Sequence, residues 1–207
     1  MLNEVDFNSS WSHGVDQAAV LFELLDMNYL LRQRNYDTGL PFFSMEFGNA
    51  ILSRFPLKDA EFVSYPAVRW WEPIFVGQKD GVKVTVILGD DEVEVAAVHL
   101  DTRSVEIRQK SMKRLLAETK AHGVLAGDFN SVLSADGETA VDLLREDGRW
   151  QAAGGWEREE DFLSYPVGNL SRRIDWVFVP VSWNQIGVKV IEAPFSDHAL
   201  VVSEWQR

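Results

Sequence analysis

"VLAGDFNSVL", residues 124–133, is the stretch on which the reading of this chain turns. Its first half is small and apolar, the composition of a buried strand. Gly127, Asp128, Phe129 and Asn130 then set an acid and an amide at the strand's end. Acids are costly inside a sheet, whereas strand ends are where a rigid scaffold can aim polar side chains at one point. Taken singly, Asp128 also serves as a turn former, with Asn130 tolerating a left-handed backbone.

The surrounding pattern is mixed. Residues 16–25, "DQAAVLFELL", place Ala19, Phe22 and Leu25 at helical spacing with Asp16 at the N-cap. Strands are expected at "MNYLLRQRNY", "GNAILSRF", "FVSYPAV", "WEPIFVGQ", "VKVTVILG" and "EVEVAAVHL", with Asp80-Gly81 and Gly89-Asp90 as hairpin turns. A helix runs from Ser104 to about Ala121, with Met112, Leu115, Leu116 and Thr119 on one face and Gly123 as its stop. A second helix is expected at "TAVDLLR", and strands at "RRIDWVFVP", "IGVKVIEAP" and "ALVVSEW". With no linker composition and no internal repeat, the 207 residues read as a single domain, 1–207, of α+β class with α/β layering.

Composition bounds the chemistry. Zero cysteines exclude disulfides and thiolate metal sites, so any metal is held by oxygen or histidine. A net charge of -12 disfavours tight nonspecific binding to a polyanion. Uncharged runs such as "VTVILG" fall far short of the roughly 20 apolar residues of a membrane helix. The start shows no signal-peptide pattern, so a soluble protein is expected, cytoplasmic or secreted.

Residues able to bind metals or move protons recur at the ends of expected elements: Glu4, His99, Asp128 with Asn130, Asp175, and Asp197 with His198. Each alone has a structural explanation: a solvated acid, a hydrogen-bonded histidine, a loop pair. Together they form a pattern.

That pattern resembles the endonuclease/exonuclease/phosphatase superfamily, the deoxyribonuclease-I-like phosphoesterases. The likeness is carried by "LNEVD" (2–6), "VHLD" (98–101), "GDFNS" (127–131), "RRIDWVFV" (172–179) and "SDHALVV" (196–202), with "FGNAILSRFPL" (47–57) in support. The resemblance implies a four-layer αββα sandwich of two mixed, mostly antiparallel sheets flanked by helices. It implies Glu4, Asp128 and Asp197 on the metal side, with Mg²⁺ as cofactor and Mn²⁺ as its substitute. It makes His198 the general base, Asp175 the group orienting it, His99 a donor to the phosphate or a help to the leaving group, and Asp128 and Asn130 the floor of the site. Phe129 points into the core. Arg172, Arg173 and Asn49 are the further substrate-binding candidates.

Family members usually carry another strand and helix, about the size of one βαβ segment, ahead of the acid matched by Glu4. The fold is therefore expected to be N-terminally incomplete, and neither Asn3 nor Asn8 replaces the missing asparagine. An exposed sheet edge would then invite self-association. Two readings follow: a metal-dependent phosphoesterase, or a noncatalytic or truncated relative acting as an assembly module completed by a partner strand.

The resemblance implies a phosphoester substrate, whether small molecule, lipid or nucleic acid, because the scaffold of that superfamily serves all three. The acidic balance leans away from genomic DNA. Arg103, Arg108 and Lys110 are expected on a solvated helix face. "VRWWEP" and "DGRWQAAGGW" offer tryptophans as core residues or as stacking platforms.

Overall fold

Alternation along one strand organises the first half of the molecule. In this computed structural model, which describes residues 1–40, 43–66, 79–119, 123–157 and 159–207, the chain divides into two compact units, Met1–His99 and Leu100–Arg207. In the first unit β1 (Leu2–Asp6), β2 (Tyr29–Leu40) and β3 (Phe43–Ser53) form an antiparallel sheet in the order β1-β3-β2. Ala50 of β3 joins Val5, Phe7 and Ala18, the last on helix α1 (Gln17–Leu24), with Leu30 and Leu52 packed against them. Ile51, one residue further, faces the other way and joins Val82, Val84 and Ala97. Those residues belong to β5 (Asp80–Leu88) and β6 (Asp91–His99), which continue from β4 (Leu57–Ser64) as an antiparallel meander. The period of two in "NAIL" thus builds a helix–sheet–sheet stack.

Local chemistry sets the ends. The Asp16 carboxylate accepts from the Ala19 N–H at 2.9 Å and caps α1. Gly89, at φ +66°, turns the chain between β5 and β6. Asp80-Gly81 is not a turn: the two residues pair with Ser64 and Val63 inside β5. Gly81 serves close approach instead, because a Cβ there would lie 2.3 Å from the Tyr65 hydroxyl. The expected strand "WEPIFVGQ" lies outside the described residues.

In the second unit α2 (Val105–Glu118) and α3 (Ala140–Asp147) accompany an antiparallel sheet of β7 (Val124–Asp128), β9 (Asp175–Pro180) and β8 (Trp150–Ala152), in the order β7-β9-β8. Strands β10 (Asn184–Ile191) and β11 (Leu200–Gln206) form a separate antiparallel pair. Helix α2 ends before Gly123: Thr119 leaves the helical region and its hydroxyl donates back to the Leu115 carbonyl at 2.7 Å. Met112, Leu115, Leu144, Trp150, Trp176 and Phe178 are buried. Trp176 and Phe178, two apart on β9, stack with ring centroids 5.5 Å apart, and Phe129 meets Phe178 edge-on at 5.1 Å. Trp150 and Trp176 are therefore core residues, while Trp70 and Trp71 lie outside the described residues. Among the described residues no helix is long and apolar enough to cross a membrane.

Candidate active site

In the first unit the chain brings together Glu4, His99 and Lys79. Glu4 sits where the register of β1 shifts, at φ +52°, a strained backbone for a residue with a Cβ. The irregularity carries its carboxylate outward, 65% exposed. His99, at the end of β6 and buried, places Nε2 3.3 Å from Glu4 Oε1 and 2.6 Å from Lys79 Nζ. Lys79 Nζ is 3.8 Å from Glu4 Oε1. No sequence motif marked Lys79; it stands just ahead of β5 without a distinguishing neighbour.

Behind this cluster runs a chain of side-chain amides. Asn3 Nδ2 donates to Asn49 Oδ1 at 2.9 Å and to the Val98 carbonyl at 3.1 Å. Asn49 Nδ2 donates to Gln33 Oε1 at 2.6 Å and to the Asp80 carbonyl at 3.2 Å, and Gln33 Nε2 donates to Asn35 Oδ1 at 2.7 Å. Asn49 is fully buried and its amide is used within this chain of side chains.

In the second unit β7 ends at Asp128. Gly127 at φ +138° and Asn130 at φ +47° bend the backbone so that Asn130 folds back on the acid. Asp128 accepts the Asn130 N–H at 2.7 Å through Oδ1 and the Asn130 side-chain amide at 2.8 Å through Oδ2. Asn130 Nδ2 also donates to the Leu100 carbonyl at 3.0 Å. The amide therefore fixes the carboxylate, and Phe129 between them is buried in the core.

Asp175, the first residue of β9, meets His198: Oδ2 lies 2.8 Å from His198 Nδ1. Ser164 holds the acid from the other side, its hydroxyl donating to Asp175 Oδ2 at 2.6 Å while accepting the Asp175 N–H at 3.1 Å and the Ile174 N–H at 3.3 Å. Two backbone bonds lace the loop after Ser164 to the loop bearing His198: Ala199 N–H to the Ser164 carbonyl and Val167 N–H to the Asp197 carbonyl, both 2.8 Å. With Nδ1 engaged, Nε2 is the ring nitrogen left to move a proton. Burial pushes the His198 pKa down, but the Asp175 hydrogen bond and the charges of Asp175, Asp128 and Asp197 outweigh it and hold the pKa above its ordinary value.

The cations of the second unit are held in different ways. Arg108 is drawn inward from its helix: Nη1 donates to the Asp101 carbonyl at 3.0 Å, and the charges of Asp101 and Asp128 act on it. Lys110 pairs with Glu106 at 2.6 Å on an exposed helix face. Arg173 is buried, donating to the Gly155 carbonyl at 3.0 Å and to the Ala153 carbonyl, with its guanidinium 3.8 Å from the Trp176 ring. That inward fixation engages its guanidinium with main-chain carbonyls. Its neighbour Arg172 is exposed and lies 4.7 Å over the ring of Tyr165. Ser164 and Tyr165 were missed from sequence; the small hydroxyl-aromatic-proline stretch "SYP" ahead of "RRID" was the available signal.

The donor chemistry suits a hard cation only in its least demanding form. Among the described residues no three His, Asp or Glu side chains gather into a metal-binding group. Mg²⁺ does not require one, since it keeps several waters and takes one or two carboxylates together with substrate oxygens. The exposed carboxylate of Glu4 fits that mode, with the Lys79 ammonium as its competitor.

Comparison with known proteins bears on the family and the fold. The profile of the "Endonuclease/Exonuclease/phosphatase family" matches residues 1–198. The chain belongs to that family. Among solved structures, an endonuclease/exonuclease/phosphatase from Beutenbergia cavernae superposes with a TM-score of 0.74 at 24% identity over 99% of this chain. The chain spans 61% of the length of that protein. The mannosyl-6-phosphatase of Bacteroides thetaiotaomicron gives 0.64 at 15% identity, covering 92% of this chain and 81% of its own. The human Nocturnin catalytic domain with a bound sulfate anion gives 0.66 at 15% identity, covering 99% and 79%. No curated protein matches the sequence. These likenesses show the fold, an α/β sandwich of mixed sheets and helices, in the endonuclease/exonuclease/phosphatase family.

Proposed function

We propose that this protein is a phosphoester hydrolase in which His198 accepts a proton from the attacking water. The observation that carries the reading is the 2.8 Å bond between His198 Nδ1 and an Asp175 that Ser164 already holds in place. Asp175 selects the tautomer that leaves Nε2 basic and stabilises the imidazolium that forms. As the water oxygen bonds to phosphorus, its proton passes to Nε2, and the ester oxygen departs with the electron pair of the broken P–O bond and takes a proton from solvent. Asp128, pinned by Asn130, contributes a fixed negative charge that favours the protonated ring. The first unit, taken by itself, offers a phosphate-binding group: His99, with Lys79 beside it, presents donors suited to phosphoryl oxygens. Glu4 of the same unit is the residue to hold Mg²⁺, with Mn²⁺ as its substitute, and the bound ion would supply positive charge to a phosphate there.

The test is hydrolysis of bis(p-nitrophenyl) phosphate with and without Mg²⁺, by the protein and by His198→Ala. Metal-dependent turnover that falls about 10²-fold or more in the variant, the usual weight of a positioned base, supports the assignment. Turnover that survives the substitution removes His198 from the reaction.

A further inference from the structure

Beside the dyad the second unit carries a feature that the proton-transfer step does not use. The Tyr165 ring lies between two groups: its centroid is 4.8 Å from that of His198, and the Arg172 guanidinium carbon sits 4.7 Å from it. Laid end to end, those distances put the guanidinium within about 9.5 Å of the base. Arg172 is exposed, and among the described residues it has no carboxylate partner, in a chain of net charge -12. A stacked guanidinium gives up part of its freedom before any ligand arrives, so it binds an anion at a smaller entropic cost. The ring beneath it is fixed in turn: Tyr165 N–H donates to the Arg172 carbonyl at 3.0 Å and the Arg172 N–H to the Tyr165 carbonyl at 2.9 Å. Arg173 contrasts with it, being spent on the carbonyls of Gly155 and Ala153.

We propose that Arg172, held by Tyr165, forms a subsite next to His198 for a second anionic group of the substrate, a phosphate or carboxylate attached to the same molecule as the phosphoester. This rests on the reading of His198 as the base. The fork of the guanidinium matches a phosphate or carboxylate in two parallel hydrogen bonds, which a neutral ester arm cannot supply. The substrate class is thus an organic phosphoester bearing a further negative charge, rather than a simple diester. Tyr165 acts as a positioning residue: it keeps the cation at a fixed reach from the base.

The experiment compares binding of thymidine 3′,5′-bisphosphate with that of thymidine 5′-monophosphate by calorimetry. Turnover of thymidine 5′-(p-nitrophenyl phosphate) with and without a 3′-phosphate is measured alongside. The second phosphate is expected to tighten binding about 10- to 100-fold, the range for one charge-assisted bidentate contact. Arg172→Gln removes that preference. Tyr165→Leu weakens it while Tyr165→Phe retains it, and Lys113→Gln, an exposed helix cation, leaves it intact. Equal affinity for the two nucleotides in the unaltered protein overturns the subsite, as does a preference that persists in Arg172→Gln. A preference that depends on Arg172 with no ester cleaved supports the subsite and refutes the hydrolytic reading instead.

Discussion

Replacing Asp175 by Asn keeps the side chain's shape and removes the charge on which His198 leans. The bond lost is 2.8 Å long, between side chains that are 29% and 17% exposed. A hydrogen bond to a charged group contributes about 1.5–3 kcal/mol, and partial exposure favours the lower end. At about 1.4 kcal/mol per factor of ten, the oriented ring becomes roughly tenfold scarcer, which sets the minimum loss in kcat. A wrong tautomer deepens the loss toward the full contribution of a general base, about 10²–10⁴. The pH dependence gives the sharper sign. Because the base must be neutral, and because Asp175 helps hold the His198 pKa above its ordinary value, activity rises with pH through that raised value. In Asp175→Asn the acidic limb moves to lower pH while the plateau falls. Stability runs the opposite way: a raised folded pKa contributes fully below the ring's ordinary value of 6.5 and is lost as pH rises through the folded one. The difference in Tm between protein and variant is therefore widest in mild acid and narrows in alkali. Rates on bis(p-nitrophenyl) phosphate and thermal melts, each across that range, measure both. An acidic limb that stays put, or moves to higher pH, refutes the reasoning.

Two stability predictions concern the first unit. A Cβ at Gly48 would lie 1.9 Å from the Gln33 carbonyl oxygen and 2.9 Å from the Asn35 nitrogen, both main chain. Gly48→Ala is expected to cost about 3 kcal/mol, the upper end for overpacking, because backbone must yield; an unchanged denaturation midpoint would show that the strands do not approach so closely. Asp6 accepts the Ser9 N–H at 2.8 Å and the Asn8 N–H at 3.3 Å. Burial pushes its carboxyl up, but the bonds from the Ser9 N–H and from the Ser9, Trp11 and Ser12 side chains outweigh it and hold the pKa below the ordinary 3.8. Its contribution is present above that ordinary value and lost as pH falls through the folded one. Asp6→Asn should cost about 1–2 kcal/mol at neutral pH, with the gap to the unaltered protein closing in strong acid; a gap that widens there would contradict the assignment.

Legibility followed the range of the interaction. The N-caps at Asp16 and Ser104 act within four residues and could be read directly. The strand at "GNAILSRF" could be read from its composition, whereas the two separate clusters that Ala50 and Ile51 join needed their partners. Gly81 misled because a glycine after an aspartate is chemically identical whether it turns the chain or admits the Tyr65 ring. Arg172 and Arg173 are adjacent and alike, and the carbonyls that capture the second come from residues about twenty positions away, at Ala153 and Gly155. Ser164 reaches Asp175 from eleven positions away in the chain, so its part in the dyad needed the fold. Asp128, Asn130, Asp175 and His198 stood out by residue type at the ends of expected elements, their roles came from resemblance, and rate measurements are what test them.

The amide chain from Asn3 through Asn49 and Gln33 to Asn35 has an implication for how such a sequence can drift. Each side chain satisfies the next, so any single exchange strands a buried donor or acceptor at a cost of about 1–3 kcal/mol. Replacing neighbours together with shape-matched apolar groups removes most of that cost, but only once several changes coexist. The wall behind Glu4 and His99 is therefore hard to alter stepwise, and homologues should hold either the whole set of amides or a wholly different interior, with intermediates rare.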